Sequence, residues 1–70
     1  MYVDEEILAL EPRLRELLAD GQWHKGEALY TGLGLNWDSV HDHKRFNYML
    51  RTHPNFADIE LGYMARRRLV

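Results

Sequence analysis

Ala57-Asp58-Ile59-Glu60-Leu61-Gly62-Tyr63-Met64-Ala65-Arg66-Arg67-Arg68 is where this chain changes its period. Apolar and acidic residues alternate over 57–61, which sends successive side chains to opposite faces of a β-strand. Gly62 is suited to a turn, and Tyr63 onward reads as a returning strand. Two strands joined so tightly make a short hairpin. A lone hairpin is marginal in water, so this one must lie against whatever precedes it.

What precedes it has helical spacing. His53-Pro54 halts a helix that Asn36 or Asp38 can cap. Wound at 100° per residue, residues 38–52 gather Leu50, Phe46, Met49, Ser39 and His43 on one side, with Val40 at its margin. The other side gathers His41, Lys44, Arg45, Tyr48, Arg51 and Thr52. One flank is a core stripe; the other carries hydrogen-bond donors and an aromatic ring. Upstream, residues 25–33 form a shorter helix with Leu29 and Leu33 as core contacts and Gly34 as its stop. Gln22-Trp23-His24 is long enough only for a single β-bridge. Ile7, Leu10, Leu14, Leu17 and Leu18 share one face of a first helix, which Asp4 caps and Asp20-Gly21 ends. Pro12 lies inside that pattern and demands a kink, or a restart with Pro12 in the first turn. The expected class is therefore α+β: three helices closed by a C-terminal hairpin, one domain over residues 1–70.

Composition sets the outer limits. Seventy residues make one domain with a thin stability margin, and the absence of cysteine removes disulfide staples and thiolate metal sites. No apolar run approaches the roughly 20 residues needed to cross a bilayer. Met1-Tyr2-Val3 leads directly into Asp4-Glu5-Glu6, unlike a signal segment, so a cytoplasmic protein without membrane contact is expected. Net charge is −2, yet its placement is uneven. The first 20 residues hold six acidic groups against Arg13 and Arg15, whereas Lys44, Arg45, Arg51, Arg66, Arg67 and Arg68 make the back half basic.

The order helix, extended piece, short helix, glycine-containing turn, longer helix, hairpin resembles the winged helix-turn-helix superfamily. Residues 17–63 carry the likeness. Asp20-Gly21-Gln22-Trp23-His24 looks like the link from first helix to first strand, and Leu33-Gly34-Leu35 like the turn of the motif. Met49-Leu50-Arg51-Thr52-His53-Pro54-Asn55-Phe56 looks like the end of a recognition helix running into a wing. The resemblance implies a small transcriptional or DNA-transaction regulator that reads duplex DNA with its third helix. His41, Lys44, Arg45, Tyr48, Arg51 and Thr52 would then face the groove, and the hairpin arginines Arg66, Arg67 and Arg68 would grip phosphates.

Each of these readings has a plainer counterpart. The third-helix flank is equally what a solvated helix face looks like, and the arginine run could simply solubilise a tail. Acidic net charge favours a second function: a protein-interaction module in which the acidic first helix or the hairpin edge docks a partner chain or a second copy. RNA binding is a third reading with no specific support. His41 and His43 stand two apart and point about 200° away from each other on a helix, so they cannot chelate one ion, and no metal or other cofactor is expected. Gly32-Leu33-Gly34 lacks the strand and lysine of a phosphate loop. Dispersed carboxylates and the small size argue against catalysis and against a small-molecule substrate. Trp37, just before the third helix, is expected to roof the core.

Overall fold

A computed structural model of the chain describes residues 2–70; Met1, where the expected domain begins, lies outside them. Asp4 opens the first helix by accepting a hydrogen bond from the Ile7 N–H, and α1 runs over Glu5–Ala9. Leu10 is a joint. α2 then starts afresh at Glu11–Leu17 with Pro12 in its first turn, where a missing N–H leaves nothing unpaired. The single first helix expected from the leucine spacing is thus two short ones, and the proline resolves as a restart. Ile7, Leu14 and Leu18 are buried as expected, while Leu10 and Leu17 pack at the margin. Gly21 takes the left-handed conformation (φ 72°), although α2 itself has already ended at Leu17.

His24 makes the expected lone bridge, but its partner comes from the far end of the chain. Its N–H and C=O exchange hydrogen bonds with Arg67 at 2.9 and 3.0 Å. α3 follows over Gly26–Leu33 and stops at Gly34, whose φ of 76° lets the chain reverse without a Cβ clash. Leu29, Tyr30 and Leu33 face the core. The turn after α3 is tied by Asn36, whose side chain accepts the Asp38 N–H while its own N–H donates to Asp42. Ser39, rather than Asn36 or Asp38, caps α4 (Val40–Thr52). Phe46, Met49 and Leu50 seal its inner face; Val40 is outside, at 68% exposure. His53-Pro54 ends the helix, and a single 3-10 turn over Pro54–Phe56 drops Phe56 into the core.

The hairpin is shorter than its alternation suggests. β1 is Ile59–Leu61 and β2 is Arg67–Leu69, antiparallel, pairing Ile59 with Leu69, Glu60 with Arg68 and Leu61 with Arg67. Gly62 does not make the turn; it is extended, with φ −102°. Reversal falls instead on Met64 and Ala65, both left-handed at φ 58° and 61°, with the Arg66 N–H donating to the Tyr63 carbonyl across them. Tyr63 to Arg66 is therefore loop, not strand. Arg15 on α2 fixes the hairpin's approach: it donates to both Asp58 carboxylate oxygens at 2.7 and 2.9 Å and to the Asn55 carbonyl at 2.7 Å. The described chain is an α+β domain of four α-helices and one two-stranded hairpin around a single core. No described helix is long and apolar enough to cross a membrane.

Candidate nucleic-acid interface

The buried stripe of α4 fixes which side of that helix looks outward. His41, Lys44, Tyr48, Arg51 and Thr52 are all exposed, as the helical projection requires. Lys44 and Arg51 stand seven residues apart, so they share one side, about 10 Å apart along the axis. Neither has a carboxylate partner among the described residues. Tyr48 lies between them, and Thr52 donates its hydroxyl proton to the Tyr48 carbonyl at 2.7 Å.

Arg45 behaves differently from its neighbours. Its guanidinium binds both Asp4 carboxylate oxygens at 2.8 and 2.9 Å, with Glu6 at 3.3 Å and Asp42 at 3.7 Å. Those hydrogen bonds hold the Asp4 carboxyl below the usual carboxylate range and push Arg45 upward. The expected DNA contact is in fact a clasp between α4 and the start of α1. Asp42 is a local partner one helical turn back, but Asp4 and Glu6 precede Arg45 by some forty residues, and no local pattern announces them.

The three hairpin arginines divide as well. Arg66 is exposed and has no side-chain partner among the described residues. Arg67 is turned inward, at 9% exposure, donating to the Asn47 side chain at 2.8 Å and to the Arg66 carbonyl at 2.9 Å. Its Nε is buried with no partner, and burial pushes its pKa down. Arg67 therefore cannot grip a phosphate as expected, because pairing with Leu61 and His24 aims its side chain at α4. Arg68 points to the opposite face, where it pairs with Glu60 at 2.8 Å and stacks 4.4 Å over the Trp23 ring.

One cation was missed. Lys25, immediately before α3, is exposed and without a carboxylate partner among the described residues. It shares a groove of about 290 Å³ with Arg66, floored by Gly26, Trp37 and Met64 and bordered by Glu27. Lys25 stands at the N-cap of α3 and makes no side-chain cap. A lysine where Ser, Thr, Asp or Asn would normally sit was the available signal.

No family model, no curated protein and no solved structure matches this chain. The outward face of α4 and its surroundings form the candidate site. Its free positive charge is Lys44 and Arg51 on α4, then Arg66 and Lys25 where the hairpin turn meets α3. Behind them the scaffold is tied together by hydrogen bonds and ring packing. His43 Nε2 meets the Trp37 carbonyl at 2.6 Å, and the Tyr30 hydroxyl faces its Nδ1 at 3.3 Å. With Nε2–H donating to the carbonyl, Nδ1 is the acceptor for Tyr30. Trp37 packs edge-on against Tyr30 at 5.0 Å and roofs that corner. His41 and His43 thus face different surroundings, and the described residues hold no group of three potential metal ligands.

Proposed function

We propose that this chain is a winged-helix domain that binds duplex DNA through the outward face of α4. The observation that carries the reading is the unpaired Lys44–Tyr48–Arg51 stripe on a helix whose opposite side is locked by Phe46, Met49 and Leu50. Element order supports it too: the His24 bridge sets a third strand segment beside the hairpin, ahead of α3, the turn and α4. His41, Lys44, Tyr48, Arg51 and Thr52 form the groove-facing set, with Arg66 and Lys25 on flanking phosphates. Arg67 and Arg68 are engaged within the fold and leave that set, and Arg45, held by Asp4, Glu6 and Asp42, is not among its free cations.

Four side-chain cations without a carboxylate partner among the described residues bound the electrostatics. Log affinity should fall against log salt with a slope no steeper than about −3.6, since each neutralised phosphate adds about 0.9. Fluorescence anisotropy against mixed duplex DNA from low to moderate salt measures this directly. Lys44→Ala with Arg51→Ala should flatten the slope by up to about 2 while leaving the melting temperature unchanged, because neither side chain holds the fold. No binding at low salt would defeat the proposal.

A specific feature favours a second reading. Tyr63 and Met64 at the hairpin turn are 87% and 76% exposed, with Leu61 and Val70 also open to solvent. Tyr63 and Met64 at the turn, with Leu61 at the adjoining end of β1, offer apolar surface for docking another protein. That reading gains if the DNA titration is silent.

A further inference from the structure

We infer that residues 2–6 act as an acidic strap that competes with DNA for the outward face of α4; the inference rests on the DNA-binding reading above. Three carboxylates, those of Asp4, Glu6 and Asp42, surround the single guanidinium of Arg45. That is more negative charge than one arginine balances, and the surplus sits at the edge of the face that carries Lys44. Ahead of Asp4, the Tyr2 ring leans on Tyr48 with centroids 6.3 Å apart and planes tilted by 56°. Strap and helix together enclose an open cleft of about 540 Å³, into which His41 and Lys44 also project.

The two strap carboxylates that reach Arg45 have separable roles. Asp4 is buried, caps α1 and accepts two hydrogen bonds from Arg45, so the fold needs it. Glu6 has a side chain 84% exposed, and Arg45 is its one polar side-chain partner among the described residues. A carboxylate on a guanidinium fork occupies the donors that a phosphate oxygen would use. Asp4 keeps the Nε and Nη2 fork of Arg45, and Glu6 lies over Nη2 from the solvent side at 3.3 Å. A DNA strand drawn to α4 must therefore displace Glu6 before a phosphate can share that group, and the Tyr2 ring stands beside Tyr48. Lys44 and Arg51 lie outside the strap's grip, so it lowers affinity without abolishing it. Anything that draws Tyr2 and Glu6 off the helix while Asp4 stays in place raises the affinity.

The test uses the full chain with Glu6→Gln, Tyr2→Ala and, as a control of equal charge change, Glu5→Gln; Glu5 is exposed and is not among the carboxylates that pair with Arg45. Against a 20-base-pair mixed duplex at low salt, Glu6→Gln and Tyr2→Ala should each tighten binding about 2- to 5-fold, the size of one exposed ion pair. Combined, they should steepen the salt slope by up to about 0.9 as Arg45 reaches a phosphate. Glu5→Gln should change affinity less. If the unaltered chain binds but neither strap variant binds tighter, the strap is wrong and the DNA reading stands. Equal gains from Glu5→Gln and Glu6→Gln also overturn it, because net charge then suffices. Silence from every variant at low salt sinks both ideas together. Nitrogen-15 NMR gives an independent readout: DNA should move the Arg45 Nε–H signal further in Glu6→Gln than in the unaltered chain, and equal or smaller movement refutes the strap.

Discussion

Gly62 serves this fold through what it lacks. A Cβ there would lie 2.3 Å from Cζ3 of Trp23, and Trp23 cannot easily retreat because Arg68 stacks 4.4 Å over its ring. Gly62→Ala should therefore destabilise the domain by about 1–3 kcal/mol, read by thermal denaturation, with a shift in tryptophan fluorescence. Gly34→Ala is the informative contrast. It meets open space but keeps φ at 76°, so it should lose only about 1 kcal/mol from the backbone and leave that fluorescence alone. In the sequence Gly62 reads as a turn glycine; the ring that claims its space arrives from another element, which no local rule foresees. Asp4 is a second such residue, and its effect is visible in pH. Hydrogen bonds from Arg45 lower its folded pKa beneath the ordinary 3.8, and Arg15 does the same for Asp58. A depressed carboxyl pKa means the unfolded chain binds the proton more readily. This stability is whole above the ordinary pKa and drains as the pH falls through the folded one. Melting temperature should hold from neutrality to about pH 5 and drop below about pH 4. Asp4→Asn should melt lower at pH 7 and lose less on acidification.

Among the elements, the helices were readable and the hairpin only half so. Helical periodicity alone located the inner faces of α3 and α4, and Pro12 announced an interruption that became the restart of α2. Cap residues were less certain: Ser39 wins over Asn36 and Asp38 because those two are occupied in building the preceding turn. The hairpin misled because Tyr63-Met64-Ala65-Arg66 has no residue that favours a left-handed backbone. Met64 and Ala65 adopt it anyway, in the mirror-image turn whose twist matches paired strands. Such a turn normally calls for Asn and Gly, and a left-handed non-glycine residue costs about 1–2 kcal/mol. Met64→Asn with Ala65→Gly should thus stabilise the domain. Each is worth up to about 1 kcal/mol, and a domain of this size gains about 4–8 °C in melting temperature per kcal/mol. The Met64 side chain is largely exposed, so little packing is lost in the exchange. An unchanged melting temperature would show that the loop bears no such strain.

Across the whole molecule, the basic residues separate into those that hold the fold and those left without a carboxylate partner among the described residues. The outward set on α4 was legible because a projection needs only the helical period. That Arg45, Arg67 and Arg68 are engaged inside the fold was not legible, because Asp4, Asn47 and Glu60 reach them from elsewhere in the chain, a matter of tertiary geometry. Adjacent Arg66 and Arg67 allow the division to be tested with two substitutions. Arg66 lies outside with no partner, so Arg66→Ala should leave stability within about 0.5 kcal/mol yet flatten the salt dependence of DNA binding by about 0.9. Arg67 reverses this pattern. Its stem is packed between β2 and α4, so Arg67→Ala should cost about 2–4 kcal/mol. Its charge is a poor resident there: no carboxylate faces it, Nε lacks a partner, and Arg51 adds repulsion. Arg67→Met keeps the stem and removes the cation, so stability should stay within about 1 kcal/mol and the salt slope should not move. If Arg67→Met flattened that slope as much as Arg66→Ala, the inward guanidinium would be reaching the partner after all, and the division of charge between fold and interface would have to be redrawn.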